Sequence, residues 1–177
     1  MEKIKKVLSL LGSMAVLSLF AWNNAAAQEQ IITPGPTSQN IGQLAPLSVD
    51  VVYSTASPQD ETLSGLGLRM HWNSNALTYG SVTNLFNTNR QPPVAPVPQP
   101  DIADFDGDPS TDTFLLVAWL DVAENWPGAG TEPQRLYAAN FTAAPGYSGP
   151  TNINFSASST AANRVFQSSP VNVAVSG

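Results

Sequence analysis

Four aspartates, Asp104, Asp106, Asp108 and Asp112, are crowded into one short stretch of the chain, DFDGDPSTD. Carboxylates this close repel one another unless a cation lies among them, and the stretch itself contains no Lys or Arg. Because the stretch offers oxygen ligands without a thiol or an imidazole, it favours a hard ion such as Ca²⁺. The placing of Asp at every second position from 104 to 108 therefore predicts a structural calcium site. The alternative is a solvated turn that is rich in Asp for conformational reasons alone.

The segments on either side would hold this stretch in place. Residues 91–100, QPPVAPVPQP, are half proline, which removes backbone donors and predicts an exposed, extended connection. Residues Thr113–Leu120 are an apolar run that predicts a buried strand. The sequence thus predicts one long loop, at about residues 87–112, attached to a rigid strand.

Aromatic side chains offer a second kind of chemistry, the stacking of sugar rings. Trp126 and Tyr147 stand beside Pro and Gly, which predicts exposed positions in loops. Trp72 and Trp119 follow strand patterns and are predicted to be buried. Trp126 and Tyr147 are therefore the candidate ligand-binding residues of a carbohydrate-binding module.

An enzyme would need a nucleophile with a base, or two placed carboxylates. His71, the only histidine, alternates with buried-type residues and is predicted to face solvent, which disfavours a Ser-His-Asp triad through it. Asp121 and Glu124 formally match a glycosidase pair, but acidic residues in a loop beside Pro and Gly are more simply solvated. We therefore expect no catalytic residues.

The start of the chain and its charge limit where the protein works and what it binds. Three lysines, an apolar run and then Ala25-Ala26-Ala27 predict a cleaved signal peptide over residues 1–27, followed by one exported domain over residues 28–177. Thirteen acidic residues against seven basic ones give a net charge of −6. Such a chain disfavours nucleic acid and, after cleavage, membrane insertion. Without Cys, stability has to come from a core and, we expect, from an ion.

Short alternating segments separated by turn residues make up the rest of the chain. They are clearest at residues 47–54, 66–72 and 171–175, and nothing repeats at helical period. Residues 28–45 predict a loose start with one edge strand around Ile31 and Ile32. The pattern as a whole predicts an all-β fold, a single antiparallel, jelly-roll-like β-sandwich.

The order of these segments resembles that of cohesin domains over roughly residues 41–175. The resemblance rests on GLGLRMHWNSNALTYGSV at residues 65–82 and QRLYAANFTAAPGYSGPTNINF at residues 134–155. It implies a β-sandwich that binds dockerin modules through one sheet face. Asn73 and Ser74 stand where the family usually has Asp and Pro, and the proline-rich and acidic loop is an insertion.

The acidic stretch itself resembles the calcium loops of integrin-type β-propeller repeats, with the pattern D-x-D-G-D-x-x-x-D. Gly107 would allow the tight turn, whereas Pro109 replaces the glycine usual in the repeats. The resemblance implies ligands at the first, third, fifth, seventh (carbonyl) and ninth places, namely Asp104, Asp106, Asp108, Ser110 and Asp112.

These observations lead us to expect an exported, non-catalytic binding or assembly module, stabilised by Ca²⁺, that recognises another protein. That partner would be dockerin-like or part of a cell surface or matrix. The alternative is a carbohydrate-binding module that recognises a polysaccharide. Self-association through edge strands, and a periplasmic as opposed to an extracellular location, are left open.

Overall fold

The structure, a computed structural model, describes residues 28–56, 60–86 and 96–177. The predicted signal peptide and the first half of the proline-rich run, residues 91–95, lie outside the described residues. Within the described ranges every regular element is a β-strand, and none is a helix long and apolar enough to cross a bilayer. The strands are β1 (Glu29–Gly35), β2 (Ser38–Gly42), β3 (Pro46–Thr55), β4 (Thr62–Leu63), β5 (Gly65–Trp72), β6 (Leu77–Thr83), β7 (Gln99–Pro100), β8 (Thr113–Leu120), β9 (Trp126–Pro127), β10 (Gln134–Ala143), β11 (Gly149–Ser159), β12 (Val165–Ser168) and β13 (Val171–Ser176).

Most strands belong to two sheets. One has the order β12-β1-β3-β10-β6 and the other β2-β13-β11-β5-β8-β7, while β4 and β9 form a separate two-stranded ladder. Neighbouring strands are antiparallel except in two pairs, β1 with β12 and β2 with β13. The predicted all-β sandwich is confirmed, with two parallel pairs that no local pattern indicates.

The core consists of the residues that point inward from the strands of the two sheets. On β3, Val49 and Val51 are fully buried, and on β5 so are Leu68 and Met70. Burying an aliphatic side chain of this size contributes roughly 1.5–3 kcal/mol. A chain without Cys therefore has a core large enough to do without disulfides.

The prediction of an edge strand at Ile31 and Ile32 is wrong. These residues lie on β1, which is flanked by β3 on one side and β12 on the other. β12 has only four residues and is mostly exposed, so its sequence carries little strand signal. It comes from the far end of the chain to cover the edge that β1 would otherwise expose.

The second face of β5 is not exposed to water, although the alternation of its residues predicts that it is. Gly65, Gly67 and His71 are all buried, and only Arg69 on that face is partly exposed. Gly67 lies against β11, where an added Cβ would come within 2.2 Å of the Ser158 hydroxyl oxygen. Both faces of β5 are thus covered, and what covers its His71 end is the acidic loop.

Candidate functional site

The acidic loop, defined here as residues 101–112, is closed at its base by backbone pairing. β7 pairs with the start of β8, and the Asp101 amide donates to the Asp112 carbonyl at 2.8 Å. The Asp112 amide in turn donates to the carbonyl of Trp72 at 3.1 Å. The loop is therefore fixed at the end of β5, from where it folds over the outer face of the sheet.

His71 lies at the centre of a buried hydrogen-bond chain beneath the loop. Its Nδ1 is 2.7 Å from Asp101 Oδ2, and its Nε2 is 2.8 Å from Ser156 Oγ on β11. The residue is 0% exposed, so the prediction that it faces solvent is wrong. The reason is tertiary, because Asp101 lies thirty positions further along the chain and only the folded loop brings it here.

The chain Ser156–His71–Asp101 has the order and spacing of a hydrolytic triad. With Nδ1–H donated to Asp101, Nε2 is free to accept the serine hydroxyl proton. A working base must also give that proton to a leaving group, however, and the buried imidazole offers it no access. The ring of Phe114 packs beside it, 5.7 Å away between centroids. In this structure the arrangement joins β5 and β11 to the base of the loop.

Two of the predicted calcium ligands meet on β11. The Asn154 amide nitrogen donates to Asp106 Oδ2 at 2.9 Å and to Asp108 Oδ2 at 3.0 Å. Thr111 Oγ1 also donates to Asp106, 2.9 Å from Oδ2. Asn154 thereby brings the Asp106 and Asp108 carboxylates to one side of the loop.

The other predicted ligands do not converge with these two. Asp112 accepts hydrogen bonds from the Ser74 backbone amide and hydroxyl, each at 2.7 Å, and so stabilises the turn after β5. Asp104 is exposed, with a φ of 52°. Ser110 donates its amide and hydroxyl to Asp108 Oδ1 at 3.0 and 2.6 Å. As described, the loop does not surround one point with all five residues.

The group that does converge is a different one. His71, Asp101 and Asp106 each offer a ligand atom, and these atoms all lie within 4.8 Å of one another. Sequence reasoning identified Asp106 but missed the other two. Asp101 lies just before the DFDGDPSTD stretch, and no local pattern connects it with a histidine on β5.

Hydrogen bonding lowers the pKa of two loop carboxylates, Asp108 and Asp112. The Ser110 hydroxyl and amide hold the pKa of Asp108 below its usual value. Burial alone would raise the pKa of Asp112, but the bonds from Ser74 outweigh it and lower that pKa. Both groups therefore stay negatively charged well into the acid range, and the loop keeps its anionic character.

Comparison with known proteins supports the fold. No protein-family model matches the chain, and no curated protein matches it. Among solved structures, the sixth cohesin of scaffoldin B from Acetivibrio cellulolyticus, in complex with a Cel5 dockerin mutant, has a TM-score of 0.54 at 13% identity, over 84% of this chain and 99% of that chain. The fold is cohesin-like.

Two further cohesins show the same relation. The third ScaC cohesin of the same organism, in complex with the ScaB dockerin, has a TM-score of 0.51 at 10% identity and covers 84% of this chain and 99% of its own. The seventh ScaB type I cohesin from Pseudobacteroides cellulosolvens has a TM-score of 0.52 at 9% identity, over 85% and 92%. At such low identity the likeness concerns the fold alone.

The cohesin-like sandwich encloses most of the aromatic side chains. Trp126 is 0% exposed and packs on Tyr53, with ring centroids 4.4 Å apart, so its predicted exposure is wrong. It is buried because β9 pairs with β4 and thereby turns the indole into the core. The predicted burial of Trp72 and Trp119 is confirmed. Tyr147 is partly buried, and its hydroxyl donates to the Pro150 carbonyl at 2.7 Å.

The two acidic residues after β8 are also placed differently from each other. Asp121 is buried, and its Oδ1 accepts the Ala123 amide at 2.9 Å, so the prediction that it is solvated is wrong. Its own amide donates to the Ser64 carbonyl, which joins the loop to the start of β5. Glu124 is exposed, as expected.

Proposed function

We propose that this chain is an exported, non-catalytic module that binds a protein partner, in the way that cohesins bind dockerins. The observation that carries the proposal is the likeness, over 84% of the chain, to two cohesin structures that each contain a bound dockerin. The signal-peptide pattern at residues 1–27 supports export. The acidic composition is consistent with a protein partner and not with nucleic acid.

The partner is proposed to contact one border of the larger sheet, the β8 margin, defined as Ala118, Leu120 and Val122. Leu120 is 57% exposed and Val122 is 89% exposed, so two large apolar side chains lie close together in water. Among the described residues, β7 pairs only with the first two residues of β8. The margin therefore has two features that favour contact with a protein. It presents apolar side chains, and no described residue pairs with this part of the β8 edge.

A matched pair of substitutions tests this surface. Leu120→Asp introduces a charge in the margin, whereas Leu44→Asp does so in the turn between β2 and β3, where Leu44 is 65% exposed. In biolayer interferometry against a panel of purified dockerin modules, we expect the wild type and Leu44→Asp to bind alike. Leu120→Asp should weaken binding by about tenfold or more. If no dockerin binds the wild type, the dockerin proposal fails, and equal loss in both variants rules out the margin.

Carbohydrate binding has no specific observation in its favour. A sugar platform needs exposed aromatic faces, and of the residues proposed for it Trp126 is buried and Tyr147 is partly so. Retention of the protein on a glycan array, combined with failure to bind any dockerin in the panel, would reverse the preference.

We also propose that the acidic loop takes a structural Ca²⁺ ion. Support comes from the Asp106 and Asp108 carboxylates, which meet at Asn154, and from the oxygen-rich stretch between Asp104 and Ser110. Asp112 could bind the ion only if its carboxylate lost the hydrogen bonds from Ser74. With a dissociation constant of about 10⁻⁴ M, millimolar Ca²⁺ would stabilise the fold by only about 1.4 kcal/mol.

The calcium proposal is tested by thermal unfolding of the chain with Ca²⁺ or with a chelator. We expect Ca²⁺ to raise the Tm of the wild type by a few degrees, roughly 3–6 °C, and not to affect the Tm of Asp108→Asn. Glu124→Gln, which removes an exposed carboxylate from another loop, is the control and should respond like the wild type. A wild-type Tm that is the same with calcium and chelator contradicts the proposal.

A further inference from the structure

Beneath the acidic loop lies a small group of buried titratable side chains, and neither dockerin binding nor the loop calcium explains two of them, His71 and Asp101. The side chains of His71 and Asp101 are 0% exposed and that of Asp106 is 2% exposed. His71 Nδ1 lies 2.7 Å from Asp101 Oδ2 and 3.9 Å from Asp106 Oδ1. Two carboxylates and one imidazole thus share one dry position between the loop and β5.

The charge of this group is not balanced. Even a protonated His71 would leave one negative charge in excess, and in the described part of the chain no Lys or Arg forms an ion pair with either carboxylate. Arg69, the basic residue nearest along β5, lies over the Phe105 ring at 3.9 Å and donates to the Ala157 carbonyl. Buried carboxylates are normally paired or bound to a metal. A cation bound between the two carboxylates and the imidazole would balance this charge.

We propose that His71, Asp101 and Asp106 bind a divalent transition-metal ion, with Zn²⁺ as the first choice. Ligand atoms at the usual zinc distances of about 2.0–2.1 Å lie about 3.3 Å from one another in a tetrahedron. The two separations from His71 Nδ1, 2.7 and 3.9 Å, bracket that value, and all three ligand atoms lie within 4.8 Å of one another. A fourth position would remain for water or an oxygen of the loop.

The far side of the imidazole is already arranged for this role. Metal-bound histidines commonly donate their other ring N–H to a fixed acceptor, which sets the tautomer. Here Nε2 is 2.8 Å from Ser156 Oγ. With the metal on Nδ1, Nε2–H donates to that oxygen. Without the metal, Nδ1–H donates to Asp101, and Nε2 accepts a hydrogen bond from the Ser156 hydroxyl. Neither state leaves the ring without a partner.

The donor chemistry separates this site from the proposed calcium site. An imidazole nitrogen suits Zn²⁺ and its neighbours in the transition series, whereas Ca²⁺ prefers oxygen alone. Asp106 is common to both sites, but His71 and Asp101 belong only to the buried one and Asp108 only to the loop. The two proposals can therefore fail separately, and neither depends on dockerin binding.

The test uses the full domain without a histidine tag, after treatment with a chelator. Isothermal titration with ZnCl₂ should show one ion per chain, together with a rise in Tm. Asp101→Asn, which keeps the shape of the side chain, should weaken binding at least tenfold. The control Asp104→Asn removes an exposed carboxylate from the same loop and should bind like the wild type. Asp108→Asn should lose the calcium response and keep the zinc response.

A second measurement does not depend on any variant folding. His71 is the only histidine, so the imidazole ¹⁵N signals report on this site alone. Saturating Zn²⁺ should shift the Nδ1 resonance and leave Nε2 protonated. Absence of zinc binding by the wild type, an unshifted Nδ1, or an Asp101→Asn variant that binds normally would each overturn the proposal.

Discussion

At the scale of single residues, Glu132 is a carboxylate whose environment is unfavourable to its charge. Its Oε2 accepts the Thr55 amide and hydroxyl at 2.7 and 2.8 Å, but its buried Oε1 has no hydrogen-bond partner among the described residues. Burial raises its pKa, and the nearby carboxylates of Glu61 and Asp60 raise it further. The folded state therefore holds the Glu132 proton more tightly than the unfolded chain does.

This raised pKa predicts a pH-dependent effect of Glu132→Gln. Because the folded pKa exceeds the unfolded one, the unfavourable contribution of Glu132 appears as the pH rises through the folded pKa. The amide should thus raise the Tm at neutral pH, by at most about 2 °C because the group is partly solvated. The gain should vanish at a pH below the usual Glu pKa. Glu124→Gln should show no such trend, and a gain that is the same at both pH values would refute the assignment.

The burial of Trp126 makes a second prediction at this scale. Truncation to Ala should cost about 3–5 kcal/mol of unfolding free energy, measured by urea denaturation, because the indole contacts Tyr53 and Trp119 in the core. Tyr147→Ala should cost clearly less, since that side chain is partly exposed. If Trp126 were a surface contact for sugars, its removal would leave stability nearly unchanged.

At the scale of elements, the start of β5 approaches β8 too closely for any side chain. Gly65 has a φ of 126°, and a Cβ there would lie 2.0 Å from the Trp119 carbonyl oxygen. Its neighbour in the ladder is Leu120, which belongs to the β8 margin. A glycine at this point lets the two strands remain paired up to the residue that is proposed to meet the partner.

Gly65→Ala should therefore destabilise the domain by about 3 kcal/mol or more, because both the conformation and the space exclude a methyl group. Gly42→Ala is the control, since its Cβ would meet nothing within 4 Å and its φ is not in the left-handed region. Urea unfolding measures both. A loss of less than about 1 kcal/mol at Gly65 would contradict the described pairing of β5 with β8.

At the scale of the whole molecule, the two ends of the domain are held together by parallel pairing. β13 lies between β2 and β11, and three of its valines, Val171, Val173 and Val175, are buried. β12 likewise pairs with β1. Each sheet is therefore completed only when the last strands join the first, which favours cooperative, slow folding.

Removal of the last strand should abolish the fold. A chain ending at Ser169 loses three buried valines and leaves β2 and β11 without the strand between them. We expect it to lack a cooperative thermal transition in circular dichroism, whereas removal of Gly177 alone should have no effect. A truncated chain with a wild-type transition would show that β13 is dispensable.

Local pattern by itself located several of the long strands. β8 has the predicted bounds, Thr113–Leu120, because an apolar run and the turn residues beside it act over a few positions. The acidic composition and the crowded aspartates are likewise properties of the sequence. They indicate a cation without showing which carboxylates would share it.

Only the tertiary structure decided which faces are covered and which groups meet. His71 is buried because residues 101–112 fold across β5, and Trp126 is buried because β9 pairs with β4. Both contacts join residues that are far apart in the chain. An alternating pattern shows that a strand has two different faces, but it does not show what covers them. For that reason the sequence located the acidic stretch, while the fold placed Asp101 and His71 beneath it.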